Sequence, residues 1–169
     1  MTNVTEASPT ITQLAEKLGH LLLSHNKFLT TAESCTGGWV AQVITAIPGS
    51  SNWFERGFVT YSNIAKQEML GVQQSTLDNF GAVSEQTCRE MAEGALRHSH
   101  AQLSVAITGV AGPTGATAEK PIGLVWLAWA EINFATQAQA YQFQGDRTAI
   151  RHQAVVEALQ GLTSRLTKR

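Results

Sequence analysis

The sequence predicts a single α/β domain in which helices and strands pack in layers around a mixed sheet. Three observations support this fold class. The chain has 169 residues, a length typical of one domain. Segments with helical and with strand spacing of hydrophobic residues alternate through most of it. Hydrophobic residues make up 43% of the chain and charged residues 15%, as in a globular protein.

The first part of the chain is predicted to contain a helix, a strand and a second helix. Residues 1–9 are polar, and we expect this N-terminal stretch to be flexible. Ile11 and Leu14 begin a run of apolar residues at helical spacing, and Pro48 and Gly49 interrupt the second apolar helical stretch. The predicted bounds are 10–24 for the first helix, 28–32 for the strand and 39–47 for the second helix.

The middle of the chain is predicted to contain one strand followed by three helices. Gly71 favours a helix end, because glycine readily adopts the left-handed conformation that closes helices. Ser84 is a suitable N-cap for the third helix. That helix carries apolar residues on one face, namely Cys88, Met91, Ala92, Ala95 and Leu96. The predicted bounds are 54–61 for the strand, 63–70 and 75–80 for the first two helices, and a start at Ser84 for the third.

The last part of the chain is predicted to contain three strands and a final helix. The strands span 103–108, 123–130 and 136–143, and the helix runs from 147 to about residue 166. The last two strands are expected to form an antiparallel hairpin, which makes the sheet mixed. The connection at 109–123 is long for a compact domain, and loops of that length are usually functional or disordered.

Charge and cysteine content exclude several classes of protein. The formal net charge of −1 predicts no nucleic-acid partner, although a local cationic pocket for one phosphate is compatible with it. Two cysteines make neither a disulfide framework nor a zinc site, so we expect a cytoplasmic protein without a metal. The first ten residues lack the pattern of a signal peptide. No segment approaches the roughly 20 apolar residues that span a bilayer, so we expect no membrane partner.

The first candidate site follows the first strand, in the segment ESCTGG at 33–38. A serine between a strand and a helix can present its hydroxyl at the carboxyl edge of the sheet. Unpaired N–H groups at the helix start then suit an oxyanion or a phosphate. Ser34 is therefore a candidate nucleophile, and Thr36, Gly37 and Gly38 are candidate binding residues. By spacing alone, an N-cap is the commoner role for Ser34 or Thr36.

Ser34 has a rival nucleophile and needs a base. A Cys35 thiolate at a helix start would have a lowered pKa, but a lone cysteine is more often a small buried hydrophobe, and we place it below Ser34. The five histidines favour surface or helix-capping roles. A binding role is left open for His152, which lies near two arginines. No pair of histidines has metal-ligand spacing.

The second candidate site follows the second strand, in the segment YSNIAK at 61–66. Lys66 lies about one turn into a short predicted helix. A lysine screened from water loses basicity and can serve as the general base for a serine. A solvated surface lysine is the commoner alternative, and the residues themselves leave both roles open.

The third candidate site is the segment TGVAGP at 108–113, which follows another strand. Glycines after a strand form backbone concavities that hold anions, so Thr108, Gly109 and Gly112 are candidate binding residues. The segment matches neither a P-loop nor the dinucleotide-binding fingerprint. A nucleoside triphosphate or NAD site is therefore poorly supported.

Two arginines open the last helix, Arg147 and Arg151, and their spacing of four places them on one face. Cations at a helix N-terminus oppose its dipole, and a bound anion offsets that cost. Both arginines are therefore candidate anion ligands. Ion pairs with Asp146 or Glu157 are the alternative.

Ordered motifs across most of the chain resemble a known family. The segments AESCTGGWVAQVIT, GFVTYSNIAK, GAVSE, ITGVAGPTG, KPIGLVW and GDR are similar to those of the CinA C-terminal-domain family, over about residues 10–166. The resemblance implies a compact three-layer α/β/α amidohydrolase domain at 10–169, often forming a homodimer. The implied reaction converts nicotinamide mononucleotide, a small-molecule partner, into nicotinic acid mononucleotide and ammonia in pyridine nucleotide recycling. It needs no metal and no organic cofactor.

The resemblance also implies roles for individual residues. Carried over by motif, Ser34 is the nucleophile, Lys66 is its general base, and Tyr61 shapes the pocket. The segment 108–113 lines the site, and Arg147 contacts phosphate or ribose. Arg151 is added from its spacing alone. One alternative is a catalytically silent paralogue that binds a nucleotide or regulates without turnover, and another is an amidase that acts on a different amide.

Overall fold

The computed structural model describes residues 9–168, in which six helices and five strands alternate. The helices are α1 (Ile11–Ser24), α2 (Trp39–Thr45), α3 (Asn63–Leu70), α4 (Gln74–Phe80), α5 (Glu85–Arg97) and α6 (Arg147–Thr167). The strands are β1 (Leu29–Glu33), β2 (Phe54–Val59), β3 (Leu103–Gly109), β4 (Leu124–Glu131) and β5 (Gln137–Gln142). A short 3-10 turn, Ser50–Asn52, connects α2 to β2.

The five strands form one mixed sheet in the order β2-β1-β3-β4-β5. β1 is parallel to both β2 and β3, whereas β4 is antiparallel to β3 and to β5. At the end of β1, Glu33 is in register with Val59 of β2 and Ile107 of β3. The carboxyl ends of the three parallel strands therefore meet at one edge of the sheet, where α/β proteins bind their ligands.

Helices cover both faces of the sheet, so the expected three-layer α/β/α fold is confirmed. α1, α2 and α6 pack on one face over large side chains such as Ile107 and Leu127. α3, α4 and α5 cover the other face. The sheet residues in that second core are small: Ala32, Ala106, Ala128 and Ala130. Small side chains on this face allow α5 to lie close to the strands, so the helix layer that carries Lys66 is held tightly against the sheet.

The helix boundaries follow the capping residues of the sequence. Thr10 forms a capping box with Gln13 at the start of α1, and Ser84 accepts the N–H of Thr87 at the start of α5. Asp146 caps α6 by accepting the N–H of Ala149. Gly71 closes α3 in the left-handed conformation, at a φ of 72°. This confirms the predicted end of α3, because a glycine in the left-handed conformation closes a helix.

Two boundaries differ from the sequence-based bounds by two residues, and the others agree to within one residue. α2 ends at Thr45 and not at residue 47, because the residue before Pro48 disfavours the helical conformation. β2 ends at Val59 and not at residue 61, because the next two carbonyl groups turn towards a lysine side chain. Most of the predicted flexible stretch, residues 1–8, lies outside the described residues. Within residues 9–168, no helix combines the length and the hydropathy that crossing a membrane requires.

Candidate active site

A cavity of about 320 Å³ lies at the carboxyl edge of the parallel strands. The turn after β1, the end of β2, the loop after β3 and the start of α6 all reach it. The residues that line it are Ser34, Cys35, Tyr61, Lys66, Ala82, Val83, Thr108, Gly109, Val110, Ala111, Gly112, Thr114, Gly115 and Arg147. All three candidate sites of the sequence thus contribute to one cavity, together with the first of the two arginines.

Lys66 and Ser34 are in direct contact, although 32 residues separate them in the sequence. Lys66 Nζ lies 3.0 Å from Ser34 Oγ, 2.8 Å from the carbonyl oxygen of Thr60 and 3.3 Å from that of Tyr61. Lys66 is only 1% exposed and Ser34 is 8% exposed. The solvated surface alternative for Lys66 is therefore wrong, and the serine has an amine within hydrogen-bond reach.

Three oxygen atoms surround Lys66 Nζ, and both forms of the lysine satisfy them, because an ammonium donates to all three, Ser34 Oγ included, and a neutral amine donates to two and accepts from the hydroxyl. A carbonyl oxygen only accepts hydrogen bonds, so Thr60 and Tyr61 each take an N–H from Lys66. A neutral amine has two N–H groups and one lone pair. With both N–H groups directed at carbonyls, the lone pair is left for the hydroxyl hydrogen of Ser34, which is the geometry of a general base.

The surroundings of Lys66 favour its neutral form. Burial lowers the pKa of Lys66 from its ordinary value, because an ammonium loses its hydration in the interior. The thiols of Cys35 and Cys88 oppose this shift only when ionised, and burial raises the pKa of both. Among residues 9–168, no carboxylate forms an ion pair with Lys66. The amine is therefore easier to deprotonate than a surface lysine.

The N-terminus of α2 is capped by Glu33 and by neither Ser34 nor Thr36. The two carboxylate oxygens of Glu33 accept the N–H groups of Val40 and Ala41 at 2.9 and 3.1 Å. The N-cap alternative for Ser34 and Thr36 is therefore wrong. The expectation of unpaired N–H groups at this helix start is also wrong for Val40 and Ala41. The Glu33 carboxylate accepts their N–H groups and so occupies the place that a bound anion would take.

Cys35, the rival nucleophile, lines the cavity but is held as a neutral thiol. Its pKa is raised to about 12, chiefly by burial and in smaller part by the neighbouring Glu33 carboxylate. The positive charges of Arg151 and Lys66 act in the opposite direction with smaller effect. A thiol with such a pKa supplies almost no thiolate near neutral pH, so the geometry favours Ser34 as the nucleophile.

Arg147 joins two parts of the cavity wall. Its Nη1 donates to the carbonyl of Gly112 at 2.8 Å, and its Nη2 donates to the hydroxyl of Tyr61 at 3.3 Å. Thr108 Oγ1 donates to the carbonyl of Ala82 at 2.8 Å and so fixes the opposite wall. Within the described chain, Arg147 forms no ion pair with Asp146, whose carboxylate caps α6.

Four of the sequence-predicted binding residues lie outside this cavity. Thr36, Gly37, Gly38 and Arg151 line a separate shallow pocket on the outer side of the turn after β1. Thr36 is fully buried, which prevents direct contact with a ligand in this conformation. The ion-pair alternative for Arg151 does not hold within residues 9–168, because its guanidinium donates to backbone carbonyls.

Sequence reasoning gave no role to three residues that shape the site. Glu33 holds the start of α2, and only its position directly before the candidate nucleophile hinted at this. Ala82 and Val83 form an apolar part of the cavity wall. They belong to the GAVSE motif, one of the segments that carries the family resemblance, which was the one signal in the sequence that pointed to this wall.

No histidine lines the cavity, and none of the described residues group into a possible metal site. His25 Nδ1 lies 2.8 Å from the carbonyl of Leu21, and His98 Nδ1 lies 2.9 Å from that of Gly94, so both rings contact helix ends. His152 packs edge-on against Trp39. Among the residues that line the cavity, the basic side chain in contact with Ser34 is therefore Lys66 and not a histidine.

Comparison with known proteins shows which family and which relatives this chain is similar to. The CinA C-terminal domain family matches residues 11–166. The Escherichia coli (strain K12) protein named nicotinamide-nucleotide amidohydrolase PncC is 54% identical over 150 residues, which cover 89% of this chain and 91% of that protein. A Pseudomonas putida protein of the same name is 49% identical over 152 residues, covering 90% and 94%. The crystal structure of competence/damage inducible protein CihA from Agrobacterium tumefaciens has a TM-score of 0.90 and 45% identity, covering 96% of this chain and 99% of that one.

The fold and the cavity define a class of three-layer α/β proteins with a small-molecule site at the carboxyl edge of the parallel strands. Within that class, the chain belongs to the CinA C-terminal domain family. The resemblance inferred from the motifs is therefore confirmed. The names of the two curated relatives also agree with the expected class of enzyme, a hydrolase of an amide bond.

Proposed function

We propose that this protein hydrolyses the carboxamide of nicotinamide mononucleotide to nicotinic acid mononucleotide and ammonia, with Ser34 as nucleophile and Lys66 as general base. The observation that carries the proposal is the buried contact of 3.0 Å between Lys66 Nζ and Ser34 Oγ. The substrate is supported by the names of the relatives from Escherichia coli and Pseudomonas putida, both nicotinamide-nucleotide amidohydrolases.

In the first half-reaction, Ser34 Oγ attacks the carboxamide carbon while neutral Lys66 accepts the hydroxyl proton. The tetrahedral intermediate then collapses, and Lys66 returns the proton to the departing nitrogen. The C–N bond breaks, ammonia leaves, and the nicotinoyl group remains on Ser34 as an ester. The same amine thus acts as base and then as acid, which requires a pKa closer to neutrality than that of an ordinary lysine.

The amide oxygen gains negative charge in this step and needs N–H donors. The N–H groups of Ser34 and Val110 already donate to the carbonyls of Ile107 and Leu124, so they do not serve this purpose. We assign this role to the backbone N–H groups of Cys35 and of the segment 111–112, which line the cavity beside Ser34. One such donor typically contributes about 10²–10³-fold to turnover.

In the second half-reaction, a water molecule resolves the ester. Lys66 accepts a proton from the water as its oxygen attacks the ester carbon. Lys66 then returns that proton to Ser34 Oγ, and nicotinic acid mononucleotide leaves. The cycle consumes one water for each ammonia released and leaves both side chains in their starting state.

The remaining walls of the cavity suit the rest of the nucleotide. A guanidinium has five N–H donors, and Arg147 directs two of its nitrogens at Gly112 and Tyr61, so further N–H groups are left for a phosphate or ribose oxygen. The apolar wall of Ala82 and Val83 suits a pyridine ring. Binding energy from the phosphate end orients the carboxamide at Ser34.

The test is ammonia release from nicotinamide mononucleotide by the wild type, Ser34→Ala and Lys66→Met. Both variants are expected to lose at least about 10³-fold in kcat, because members of one catalytic unit fail together. Lys17→Met serves as a matched control, since Lys17 is an exposed lysine of α1, and it should retain full turnover. Full activity in Ser34→Ala or in Lys66→Met would contradict the mechanism.

A parallel assay with nicotinamide, nicotinamide riboside and nicotinamide mononucleotide tests the substrate. A strong preference for the mononucleotide supports a phosphate contact in the cavity, whereas equal rates on all three amides contradict it. Binding of the mononucleotide by the wild type without ammonia release would favour the catalytically silent alternative.

We also propose the cellular setting that the family resemblance implies. The protein acts in the cytoplasm, in pyridine nucleotide recycling, as a homodimer. Light scattering on the purified chain tests the assembly, with a homodimer expected to give twice the mass of one chain.

A further inference from the structure

The turn that carries Ser34 separates two pockets. We call residues 34–38 the nucleophile turn. Ser34 and Cys35 line the cavity, whereas the later residues of the turn line the shallow outer pocket together with Trp39 and Arg151. The two arginines that share a helix face therefore lie on opposite sides of this turn, with Arg147 at the cavity and Arg151 outside it.

Arg151 holds the nucleophile turn by a two-pronged contact with consecutive carbonyls. Its Nε donates to the carbonyl of Cys35 at 3.0 Å, and its Nη2 donates to that of Thr36 at 3.1 Å. The guanidinium also stacks over Trp39, with its central carbon 5.4 Å from the ring centroid. These contacts tie α6 to the turn after β1 across 115 residues of sequence.

The nucleophile turn needs such a tether because its own backbone is permissive. Gly37 and Gly38 both have left-handed conformations, with φ of 60° and 98°, and glycine leaves neighbouring conformations accessible. The turn is held on its inner side by the N–H of Ser34, which donates to Ile107, and by the N–H of Gly37, which donates to the carbonyl of Ser34. On its outer side, the carbonyl of Cys35 has Arg151 as its partner.

Fixing these carbonyls fixes the peptide planes next to Ser34. A peptide unit is planar, so the orientation of the Cys35 carbonyl also sets the orientation of the following N–H and limits the rotation at Cys35. Ser34 Oγ is one residue away and must stay within about 3 Å of Lys66 Nζ for proton transfer. A displacement of about 1 Å in such a pair can cost about 10²-fold in rate.

We infer that Arg151 is a positioning residue, whose fork of N–H groups holds the nucleophile turn so that Ser34 stays aligned with Lys66, without contact to the substrate. The inference rests on the proposed Ser34–Lys66 mechanism. It gives the two arginines of α6 different tasks, because Arg147 faces the cavity and Arg151 supports the wall from outside. A lysine at position 151 cannot make the same pair of contacts, because an ammonium is a point charge without the planar fork of N–H groups.

The experiment compares Arg151→Met and Arg151→Lys with Arg165→Met. Arg165 is a matched control on the same helix, because it stacks over Trp129 at 4.0 Å and donates from Nη1 to the carbonyl of Gly161, far from the cavity. Four quantities are measured for each protein below its unfolding temperature. They are kcat and KM for nicotinamide mononucleotide, the Kd of nicotinic acid mononucleotide, and the rate at which a fluorophosphonate probe labels Ser34.

The probe reports on the nucleophile without depending on the identity of the substrate. In labelling, the Ser34 oxygen forms a bond to phosphorus, fluoride leaves, and Lys66 takes the hydroxyl proton. Both Arg151 variants are expected to lower kcat and the labelling rate by about 10- to 100-fold. The values of KM and of the product Kd are expected to stay within about twofold of the wild type, and Arg165→Met should keep all four quantities.

Two results would overturn the inference. Labelling and turnover within about twofold of the wild type in both Arg151 variants would show that the tether is dispensable. A raised KM and a raised product Kd with unchanged labelling would show that Arg151 contacts the ligand. If the wild type is labelled at Ser34 but releases no ammonia from the mononucleotide, the proposal that this nucleotide is the substrate is wrong. The labelling rates of the variants still decide the role of Arg151 in that case.

Discussion

At the scale of single residues, the site depends on where one lysine is buried. The YSNIAK motif identifies Lys66, and the turn chemistry around it predicts a short helix. Its burial depends on how α3 packs against α5 and on the turn after β1, where Ser34 lies 32 residues away in the sequence. The sequence therefore indicated the chemical type of the base, but its loss of hydration became visible only with the fold.

The lowered pKa of Lys66 predicts the pH dependence of turnover. Protonated Lys66 has no lone pair to accept the Ser34 proton, so kcat/KM is expected to fall as the pH drops through the Lys66 pKa. Because burial lowers that pKa, the acidic limb should lie below the pH at which an ordinary lysine titrates, about 10.4. The measurement is a pH–rate profile of ammonia release, and an acidic limb at or above about pH 10.4 would contradict the prediction.

The same pKa has an independent readout in stability. The unfolded chain binds the Lys66 proton more tightly than the folded chain, so the cost of the buried charge is fully present below the folded pKa and disappears above the unfolded pKa. Lys66→Met should therefore gain free energy of unfolding relative to the wild type as the pH falls through this window. A difference that is constant with pH would mean that the folded pKa is not lowered.

At the scale of secondary-structure elements, periodicity and capping residues predicted every helix and strand among residues 9–168. The largest differences from the predicted bounds are two residues, at the ends of α2 and β2. The start of α2 has a cap that no local rule predicts, because Glu33 lies at the end of the preceding strand and reaches over the nucleophile turn. Local rules describe neighbours three or four residues apart, whereas this cap spans seven or eight.

The packing of α3 against α5 depends on Gly94 and leads to a prediction. A Cβ at Gly94 would lie 2.0 Å from the carbonyl oxygen of Leu70, so a side chain there pushes α3 away from α5. Gly94→Ala is therefore expected to destabilise the protein by about 1–3 kcal/mol, although alanine favours helices, and to lower kcat by displacing Lys66 from Ser34. Urea unfolding and ammonia release measure the two effects.

Gln86→Ala is the matched control for this prediction. Gln86 is exposed on the same helix, so the substitution should change the free energy of unfolding by less than about 0.5 kcal/mol. A stabilised Gly94→Ala with normal kcat would show that helix propensity outweighs the contact with α3.

At the scale of the whole molecule, the alternation of elements was sufficient to predict the layers but not the arrangement of the site. Arg147 and Arg151 share a helix face, and spacing alone assigned both to an anion site. The nucleophile turn passes between them, so one reaches the cavity and the other its outer wall. That division depends on the angle at which α6 approaches the sheet edge, which hydrophobic periodicity does not specify.

Residues from both helix layers line the cavity. We therefore expect the molecule to unfold as one unit. Lys66 belongs to the layer of α3 and α5, and Arg147 to that of α6. Met91 and Leu159 are fully buried in the two opposite cores, so Met91→Ala and Leu159→Ala should each cost about 2–5 kcal/mol. Far-ultraviolet circular dichroism and tryptophan fluorescence during urea unfolding should give one coincident transition with an unchanged m-value.

Ligand binding tests whether the two helix layers depend on each other, because the stabilisation of the two variants by one ligand can be compared. The product of the proposed reaction, nicotinic acid mononucleotide, binds only when both layers are in place, so it should stabilise the two variants by the same free energy. The two residues lie on opposite sides of the sheet, and their effects should add within about 0.5 kcal/mol in the double variant. Separate transitions, or stabilisation of only one variant by the ligand, would mean that each layer holds its half of the cavity independently.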